Sequence, residues 1–146
     1  IISQTGQRSS WIGKLFCCLV STYLILLSLA GRERSEIYAR ETGRVLTAID
    51  PDYVGALSLM LIPGTPMHAD YLAGRFTPLE PMELLRELRT LLAHTEQRLG
   101  LFHANHASNY LPIRARMPKD KAATLALIDS ALAGEVALKP EWMRAL

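Results

Sequence analysis

The chain has 146 residues, 49% hydrophobic and 21% charged, proportions typical of a globular protein with a buried core. Its 16 basic and 14 acidic residues are mixed along the sequence, and no basic stripe with interleaved aromatic residues gives a direct sign of nucleic-acid binding. Two adjacent cysteines, Cys17 and Cys18, are too few for a disulfide framework, so we expect a reducing, cytoplasmic compartment. The first residue, Ile1, predicts that the chain begins partway through a longer product.

The apolar run from Leu15 to Ala30 carries no charged side chain and has three interpretations. A helix that crosses a bilayer needs ~20 apolar residues, so the run is short for a membrane span. A signal peptide also fits, because Arg8 and Lys14 precede the run. The third interpretation is a buried parallel strand, which is also a continuous apolar run. We expect the strand, because β-favouring residues are frequent here and a strand–helix–strand order follows.

A helix is predicted after this run. Ser35 is expected to cap it, and Glu36 lies in its first turn, where a negative charge is favourable. Asp50-Pro51 ends the helix, because proline disfavours helix in the residue before it. The predicted inner face consists of Tyr38, Thr42, Val45, Leu46 and Ile49.

A second strand is predicted from Tyr53 to Ile62, and the intervening helix makes the connection long enough for a parallel crossover. A short helix is expected from Pro66 to about Ala73, with Gly74 as its C-terminal stop. A leucine-rich helix then runs from Pro81 to Gly100. Its predicted inner face consists of Leu84, Leu85, Leu88, Leu91, Leu92, Thr95 and Leu99.

The last third of the sequence begins with a brief predicted strand, Leu101 to Ala104, followed by a polar loop over 105–116. Pro118 suits the first turn of a final helix that stops at Gly134. The remaining tail is expected to have one aromatic anchor, Trp142. The inner face of the final helix is predicted to consist of Leu125, Ile128 and Leu132.

The order of elements predicts an α/β fold of about three β/α units with extra helices, helix-rich overall. Three units are too few to close the usual eight-stranded barrel. The chain is therefore either a small open sheet or a partial (β/α) barrel, the later part of a barrel whose first strands are missing.

Short motifs follow one another in a set order along these units. They are Ser28-Leu29-Ala30-Gly31 after a strand, Glu36 and Glu41 in the next helix, Asp50-Pro51-Asp52 before a strand, and Pro63-Gly64-Thr65-Pro66 before a helix that stops at Gly74. In order and spacing they resemble the later barrel strands of radical S-adenosylmethionine (SAM) proteins. The likeness is to the broad group containing Elp-three-like, coproporphyrinogen-dehydrogenase-like and methylthiotransferase enzymes. The stretch FHANHASNYLP, 102–112, also resembles a segment of an uncharacterised branch of these proteins.

The resemblance divides the chain into a poorly matched segment 1–19, radical SAM-like β/α units over 20–134, and a tail over 135–146. Two features depart from the family's pattern. Ser28 and Ala30 stand where the family's turn has glycines. The Cys-x3-Cys-x2-Cys loop that holds the 4Fe-4S cluster is absent, and Cys17-Cys18 has neither the number nor the spacing of thiolate ligands. No catalytic or metal-binding residue is therefore expected in this chain.

The resemblance also implies which residues lie near SAM, which these enzymes hold in the C-terminal mouth of the barrel. Leu59, Met60 and Leu61 would lie near the adenine, through main-chain atoms and apolar contact. The turn from Ser28 to Gly31 would lie close to the ligand at the end of the neighbouring strand. The alternative is that Leu59 to Ile62 are core residues, since strand alternation sends half of such side chains elsewhere.

Polar residues follow the third predicted strand directly: Asn105, His106, Ser108 and Asn109. In α/β folds such a position suits contact with substrate or cofactor. The same residue types also satisfy the backbone of their own loop, so both interpretations stay open.

Three further patterns have structural interpretations beside functional ones. The histidines His94, His103 and His106 lack the converging ligands of a zinc site, so we expect hydrogen-bonding roles. Arg32 and Arg34, beside a helix N-terminus, could bind an anion or pair locally with Glu33. Charged residues of the long helix are expected to form its solvent-facing side: Glu83, Arg86, Glu87 and Arg89.

The leading hypothesis is a fragment of a radical SAM enzyme, whose full-length relatives reductively cleave SAM at a 4Fe-4S cluster and abstract hydrogen from a substrate, here unknown. Lacking the cluster cysteines, the chain should be inactive alone, and its partner would be the missing N-terminal half of the barrel. The alternative is a small membrane-tethered or secreted helical interaction protein with Leu15 to Ala30 as its anchor or signal. A third hypothesis is a self-standing α/β binding module without catalysis.

Overall fold

The computed structural model describes residues 21–145, which form one mixed α/β unit of four strands and four α-helices. The strands are β1 (Thr22–Leu27), β2 (Tyr53–Ser58), β3 (Gly100–His103) and β4 (Arg114–Met117). The helices are α1 (Ser35–Ile49), α2 (Pro66–Leu72), α3 (Pro81–Ala93) and α4 (Lys121–Leu132), with 3-10 turns at Arg32–Arg34 and Glu141–Met143.

The strands lie in the order β1–β2–β3–β4. β1 and β3 both pair in parallel with β2, in a register that places Thr22 opposite Tyr53 and Val54 opposite Phe102. β4 pairs antiparallel with β3. The predicted α/β class is therefore confirmed, with a mostly parallel sheet, whereas β4 begins within the predicted polar loop 105–116 and ends one residue after it. Its four residues alternate exposed and buried, a pattern too short to identify as a strand from sequence.

Helices cover one face of this sheet. α1 packs on α3, α3 also contacts β1 and α4, and α4 contacts β4. The strand side chains buried beneath them are Ile25, Leu27, Val54, Ala56, Phe102, Ala115 and Met117. The opposite face, here called the open face, carries the alternate residues of each strand, and Leu24 on it is 73% exposed.

Helix α1 has the predicted bounds, but its predicted inner face is wrong. Of the five predicted residues only Leu46 is buried, and the helix packs through Ala39 and Gly43 instead. The reason is close helix approach: a Cβ atom on Gly43 would lie 2.7 Å from the Leu91 carbonyl oxygen of α3. The other four predicted residues stay half-buried or exposed: Tyr38, Thr42, Val45 and Ile49. The predicted Ser35 cap is also wrong, because Arg34 is the N-cap residue.

Helix α3 ends at Ala93, seven residues before the predicted stop at Gly100. The helix ends there because backbone carbonyls at this point are bound by a side chain of α4. Lys121 Nζ donates to the carbonyls of Ala93 and Thr95, 3.1 and 2.8 Å away. Leu99, predicted to lie on the inner face, is 81% exposed. Tertiary hydrogen bonds thus override the leucine periodicity.

The remaining elements follow the predictions with shifted ends. β2 stops at Ser58, and α4 begins at Lys121 rather than near Pro118. The strand interpretation of the first apolar run is confirmed for Thr22–Leu27, while its residues 15–20, with Cys17 and Cys18, lie outside the described residues. Between residues 21 and 145, no helix combines the length and apolar character needed to cross a membrane.

Candidate functional site

A shallow pocket of about 540 Å³ lies on the open face, where β2 and β3 end. Its floor is apolar, formed by the side chains of Leu24 and Leu57, and its polar groups come from the strands and the loop that follows β3. In open α/β sheets, ligands bind at the carboxyl ends of the strands. Six residues supply its chemical character: Leu24, Leu57, Tyr53, His103, Asn105 and His106.

Tyr53 and His103 form a side-chain pair across β2 and β3. The Tyr53 hydroxyl lies 3.2 Å from His103 Nδ1, and the rings meet edge to face with centroids 5.1 Å apart. With the hydroxyl donating to Nδ1, the imidazole hydrogen lies on Nε2, where it is available to a ligand. His103 has the predicted hydrogen-bonding role, but Tyr53 was not predicted as its partner.

The polar loop after β3 divides into a part that lines the pocket and a part that supports it. Asn105 and His106 line the pocket, in agreement with their position after a strand. Ser108 and Asn109 are buried, 1% and 4% exposed. Their side chains are therefore poorly placed to reach a ligand in the open-face pocket.

Asn109 and Ser108 instead complete the end of β2. Asn109 Nδ2 donates to the Ala56 carbonyl and its Oδ1 accepts from the Ser58 hydroxyl, both at 2.8 Å. Ser108 Oγ accepts from the Ser58 N–H at 3.1 Å. Since a buried backbone group without a partner is costly, these side chains replace the next rung of the sheet.

Arg114 adds a positive charge next to Asn105, one of the residues that line the pocket. It is the first residue of β4 and lies opposite His103 in the register. With the Asn105 amide oxygen turned toward Arg114, that oxygen accepts from Nε at 3.0 Å and Nη2 at 3.1 Å. Arg114 was predicted to lie in a polar loop. Because strand β4 was not predicted, Arg114 was not predicted as a site residue either.

The turn from Ser28 to Gly31 lies at the end of β1 with its polar groups already occupied. Ser28 N donates to Glu87 Oε1 at 2.7 Å, and Ser28 Oγ accepts from Leu79 N at 2.9 Å. Gly31 has φ of 71° and a Cβ on it would lie 3.3 Å from the Phe76 ring, so glycine is required there. The predicted contact of Ser28 and Gly31 with a cofactor stays a prediction.

Leu59, Met60 and Leu61 follow β2 as half-buried loop residues rather than strand residues. Leu59 N donates to the Leu27 carbonyl at 3.0 Å, and its carbonyl accepts from Arg144 Nη2 at 3.3 Å. The Pro-Gly-Thr-Pro turn then starts α2, because Thr65 Oγ1 accepts from the His68 N–H at 3.3 Å. The predicted adenine contacts of Leu59 to Leu61 stay predictions.

The arginine-rich turn after Gly31 is paired with α3 and not within itself. Arg32 Nη2 lies 2.9 Å from Glu83 Oε2 and 3.7 Å from Glu80 Oε1. Local pairing with Glu33 was therefore wrong. No group of three or more histidine, cysteine or acidic side chains suited to a metal ion occurs between residues 21 and 145.

A second surface feature is an apolar groove of about 620 Å³ between β1 and α1, here called the β1–α1 groove. It is lined by the α1 residues that were predicted to face the core, together with the edge strand. The most exposed apolar side chains that α1 contributes to this groove are Ile37 at 59% and Val45 at 54%. Exposed apolar side chains that lie together in a groove make it a candidate interaction site.

Comparisons of the chain with protein-family models, curated proteins and solved structures find no match. Function is therefore inferred from the chain's own residues and from the arrangement of the open-face pocket and the β1–α1 groove.

Proposed function

We propose that the chain is the later part of a radical SAM barrel, with the open face of its sheet as part of the ligand-binding interior. Two findings support this: the sheet is parallel over β1–β2–β3, and its helices pack on one face, as in a β/α barrel. The motif order along residues 20–134 supplies the family assignment. The open-face pocket then lies at the carboxyl ends of the strands, where such barrels hold their ligands.

The observation that carries the proposal is the β1–α1 groove. Among the described residues β1 is the edge strand, so one side of it has no strand partner there, and the adjacent α1 exposes Ile37, Val45 and Ile49. A preceding β/α unit would add a strand to β1 and pack its helix against that face of α1. We therefore assign the groove to the preceding β/α unit of the same barrel.

The residues described do not fit the 4Fe-4S cluster, which needs cysteine thiolates. The only cysteines of the chain, Cys17 and Cys18, lie outside the described residues and are adjacent in sequence. The cluster therefore belongs to the preceding part of the barrel. This chain alone does not catalyse SAM cleavage.

The open-face pocket fits SAM in chemical character, because it joins an apolar floor to amide and imidazole groups. When bound, SAM supplies the adenosyl group on which the family's chemistry depends. The chain's own contribution is to bind and orient it: Leu57 offers apolar contact, and His106 offers a hydrogen bond at the rim.

Two experiments test the assignment of the groove. The first is to sequence the DNA upstream of the Ile1 codon: an open reading frame with a Cys-x3-Cys-x2-Cys pattern supports it, and an in-frame stop codon next to Ile1 contradicts it. The second is sedimentation equilibrium of the chain, which should self-associate through the groove, since no described residue covers it. Val45→Glu should abolish association, whereas Leu127→Glu, a matched charge on exposed α4, should not. A monomeric wild-type chain at high concentration contradicts the assignment.

A separate experiment tests whether the isolated chain is inactive. After anaerobic iron–sulfur reconstitution, the isolated chain should bind no stoichiometric 4Fe-4S cluster and release no 5′-deoxyadenosine from SAM. Turnover by the isolated chain would contradict the placement of the cluster in the preceding part of the barrel.

A further inference from the structure

We propose that Arg114, Asn105 and His103 form a recognition site for an organic anion, a carboxylate or phosphate ester with an apolar body, that is distinct from SAM. This inference rests on the proposed function in one respect, the assignment of the open face as the ligand-binding face. It adds the chemical class of the substrate.

The three residues converge because of the sheet register. Arg114 lies opposite His103 on the antiparallel pair β3–β4, so both side chains project from the same face. Asn105 follows β3 by two residues and accepts from Nε and Nη2 of Arg114, at 3.0 and 3.1 Å. The amide therefore holds one edge of the guanidinium and leaves Nη1 directed elsewhere.

The charge on this face is uncompensated among residues 21–145. The four strands contain no aspartate or glutamate. No carboxylate in that range lies within 4.0 Å of the Arg114 guanidinium, whereas most other described arginines form such pairs: Arg32, Arg40, Arg44, Arg75, Arg89, Arg98 and Arg144. An exposed arginine oriented by a neutral amide is suited to carboxylate or phosphate, because its planar donors match both anions.

A second donor and an apolar floor complete the site. In the tautomer in which the Tyr53 hydroxyl, 3.2 Å away, donates to Nδ1, His103 carries its hydrogen on Nε2 and donates from there. Beside these donors the pocket floor presents Leu24 and Leu57. Gly55 makes room for that floor, since a Cβ on it would lie 2.8 Å from Leu24 Cδ2. The combination selects an anion attached to an apolar body.

The test is a titration of the 15N-labelled chain at low salt with octanoate, with neutral octanamide of the same length, and with S-adenosylhomocysteine. Octanoate should shift the amides of His103, Asn105 and Arg114 and should bind at least tenfold more tightly than octanamide. Arg114→Gln should weaken octanoate binding roughly ten- to hundredfold, the range for a lost hydrogen bond to a charged group. The matched control is Arg86→Gln, at an exposed position of α3. It should change the affinity for octanoate less than twofold.

The arms of the titration separate the outcomes. The anion site is overturned if octanoate and octanamide bind with equal affinity. It is also overturned if wild type and Arg114→Gln bind octanoate with equal affinity. Competition between octanoate and S-adenosylhomocysteine, with both weakened by Arg114→Gln, identifies the anion as the SAM carboxylate and overturns a separate substrate anion. Arg114-dependent octanoate binding without any S-adenosylhomocysteine binding supports the anion site and contradicts the radical SAM proposal.

Discussion

The backbone N–H of Ser28 donates to the Oε1 atom of Glu87, 2.7 Å away, although the two residues are 59 positions apart. Ser35 Oγ donates to the other carboxylate oxygen, Oε2. Ser28 has φ of 70°, so the turn after β1 is held in a left-handed conformation by a helix α3 side chain. Glu87 is only 2% exposed, which shows that its predicted place on the solvent-facing side of the helix was wrong.

Removing this carboxylate should destabilise the fold. Glu87→Ala leaves the Ser28 N–H and the Ser35 hydroxyl without partners, and we expect a loss of about 2–3 kcal/mol in the free energy of unfolding. Glu87→Gln keeps an acceptor for Ser28 and should lose under about 1 kcal/mol. Urea denaturation of the three proteins measures both differences, and equal losses for the two variants would contradict this role.

The same side chain should make stability depend on pH. Burial raises the pKa of Glu87 above its ordinary value, with the Ser35 and Ser28 hydrogen bonds opposing the shift. The Glu87 charge also helps to raise the pKa of the neighbouring Tyr38 hydroxyl, second to burial. Since the folded state binds the Glu87 proton more readily than the unfolded chain, protonation stabilises the fold at acid pH, and this contribution is lost as pH rises through the raised pKa. The stability of wild type relative to Glu87→Gln should therefore fall as pH increases from about 4.3, the ordinary glutamate value. If the difference in the free energy of unfolding between wild type and Glu87→Gln did not change with pH, the raised pKa of Glu87 would be contradicted.

Gly43 should be intolerant of a methyl group. Alanine normally stabilises a helix interior by about 1 kcal/mol over glycine. At this position its Cβ would lie 2.7 Å from the Leu91 carbonyl oxygen and 2.9 Å from His94 Cβ, so α1 and α3 must separate. We expect Gly43→Ala to lose about 1–2 kcal/mol net, the overpacking cost exceeding the gain in helix propensity. A thermal melt above that of wild type would contradict the close packing of the two helices.

Asn109 should matter for stability rather than for ligand affinity. Asn109→Ala leaves the buried Ala56 carbonyl and Ser58 hydroxyl unpaired, and we expect a loss of about 2–4 kcal/mol. His106→Ala removes only the hydrogen bonds of an exposed imidazole to the Ser108 hydroxyl and N–H, 3.0 and 3.2 Å long, and should lose less, about 1 kcal/mol. Chemical denaturation compares them, and a larger loss for His106→Ala would reverse the assignment of supporting and pocket-lining residues.

The C-terminal tail is anchored by Arg144 and not by the predicted Trp142, which is 82% exposed. The Arg144 side chain is 6% exposed, donates to the Ser108 carbonyl and the Tyr110 hydroxyl at 2.7 Å, and lies 4.3 Å from the Tyr110 ring centroid. Burial, together with the hydrogen bond to Glu141, raises the pKa of Tyr110 to about 12. The tyrosine is thus a neutral partner at ordinary pH.

Substitutions separate these two tail residues. Arg144→Ala should lose about 2–3 kcal/mol, because charge-assisted hydrogen bonds and the packing over Tyr110 disappear together. Trp142→Ala should stay within about 0.5 kcal/mol of wild type. Urea denaturation measures the free energy of unfolding of both variants. A larger loss for Trp142→Ala than for Arg144→Ala would show that Trp142 anchors the tail.

The fold could be predicted where the local sequence determines the structure. The bounds of α1 follow from Asp50-Pro51 and those of α2 from Pro66 and Gly74, since proline and glycine act on the backbone directly. The end of α3 could not be predicted, because it depends on Lys121, 28 residues after Ala93. The inner face of α1 was wrong because helical spacing shows which residues share a face, but not which neighbouring element covers that face.

The site shows the same division. Asn105 and His106 were predicted because they follow a strand, and the structure places both at the pocket. Arg114 was missed because its strand is four residues long and gains its order from pairing with β3. Alternation of Arg114 and Arg116 with buried Ala115 and Met117 was the one available signal, and it is too brief to separate a strand from a loop.

The most direct test of the central proposal is the binding of S-adenosylhomocysteine to the 15N-labelled chain, followed by amide chemical shifts. A barrel interior on the open face predicts saturable shifts at Leu57, His103, Asn105 and His106, with none at the α4 amides of Leu127 and Ile128 on the opposite side of the sheet. Absence of binding at millimolar ligand, or shifts confined to the helices, would contradict a radical SAM ligand face.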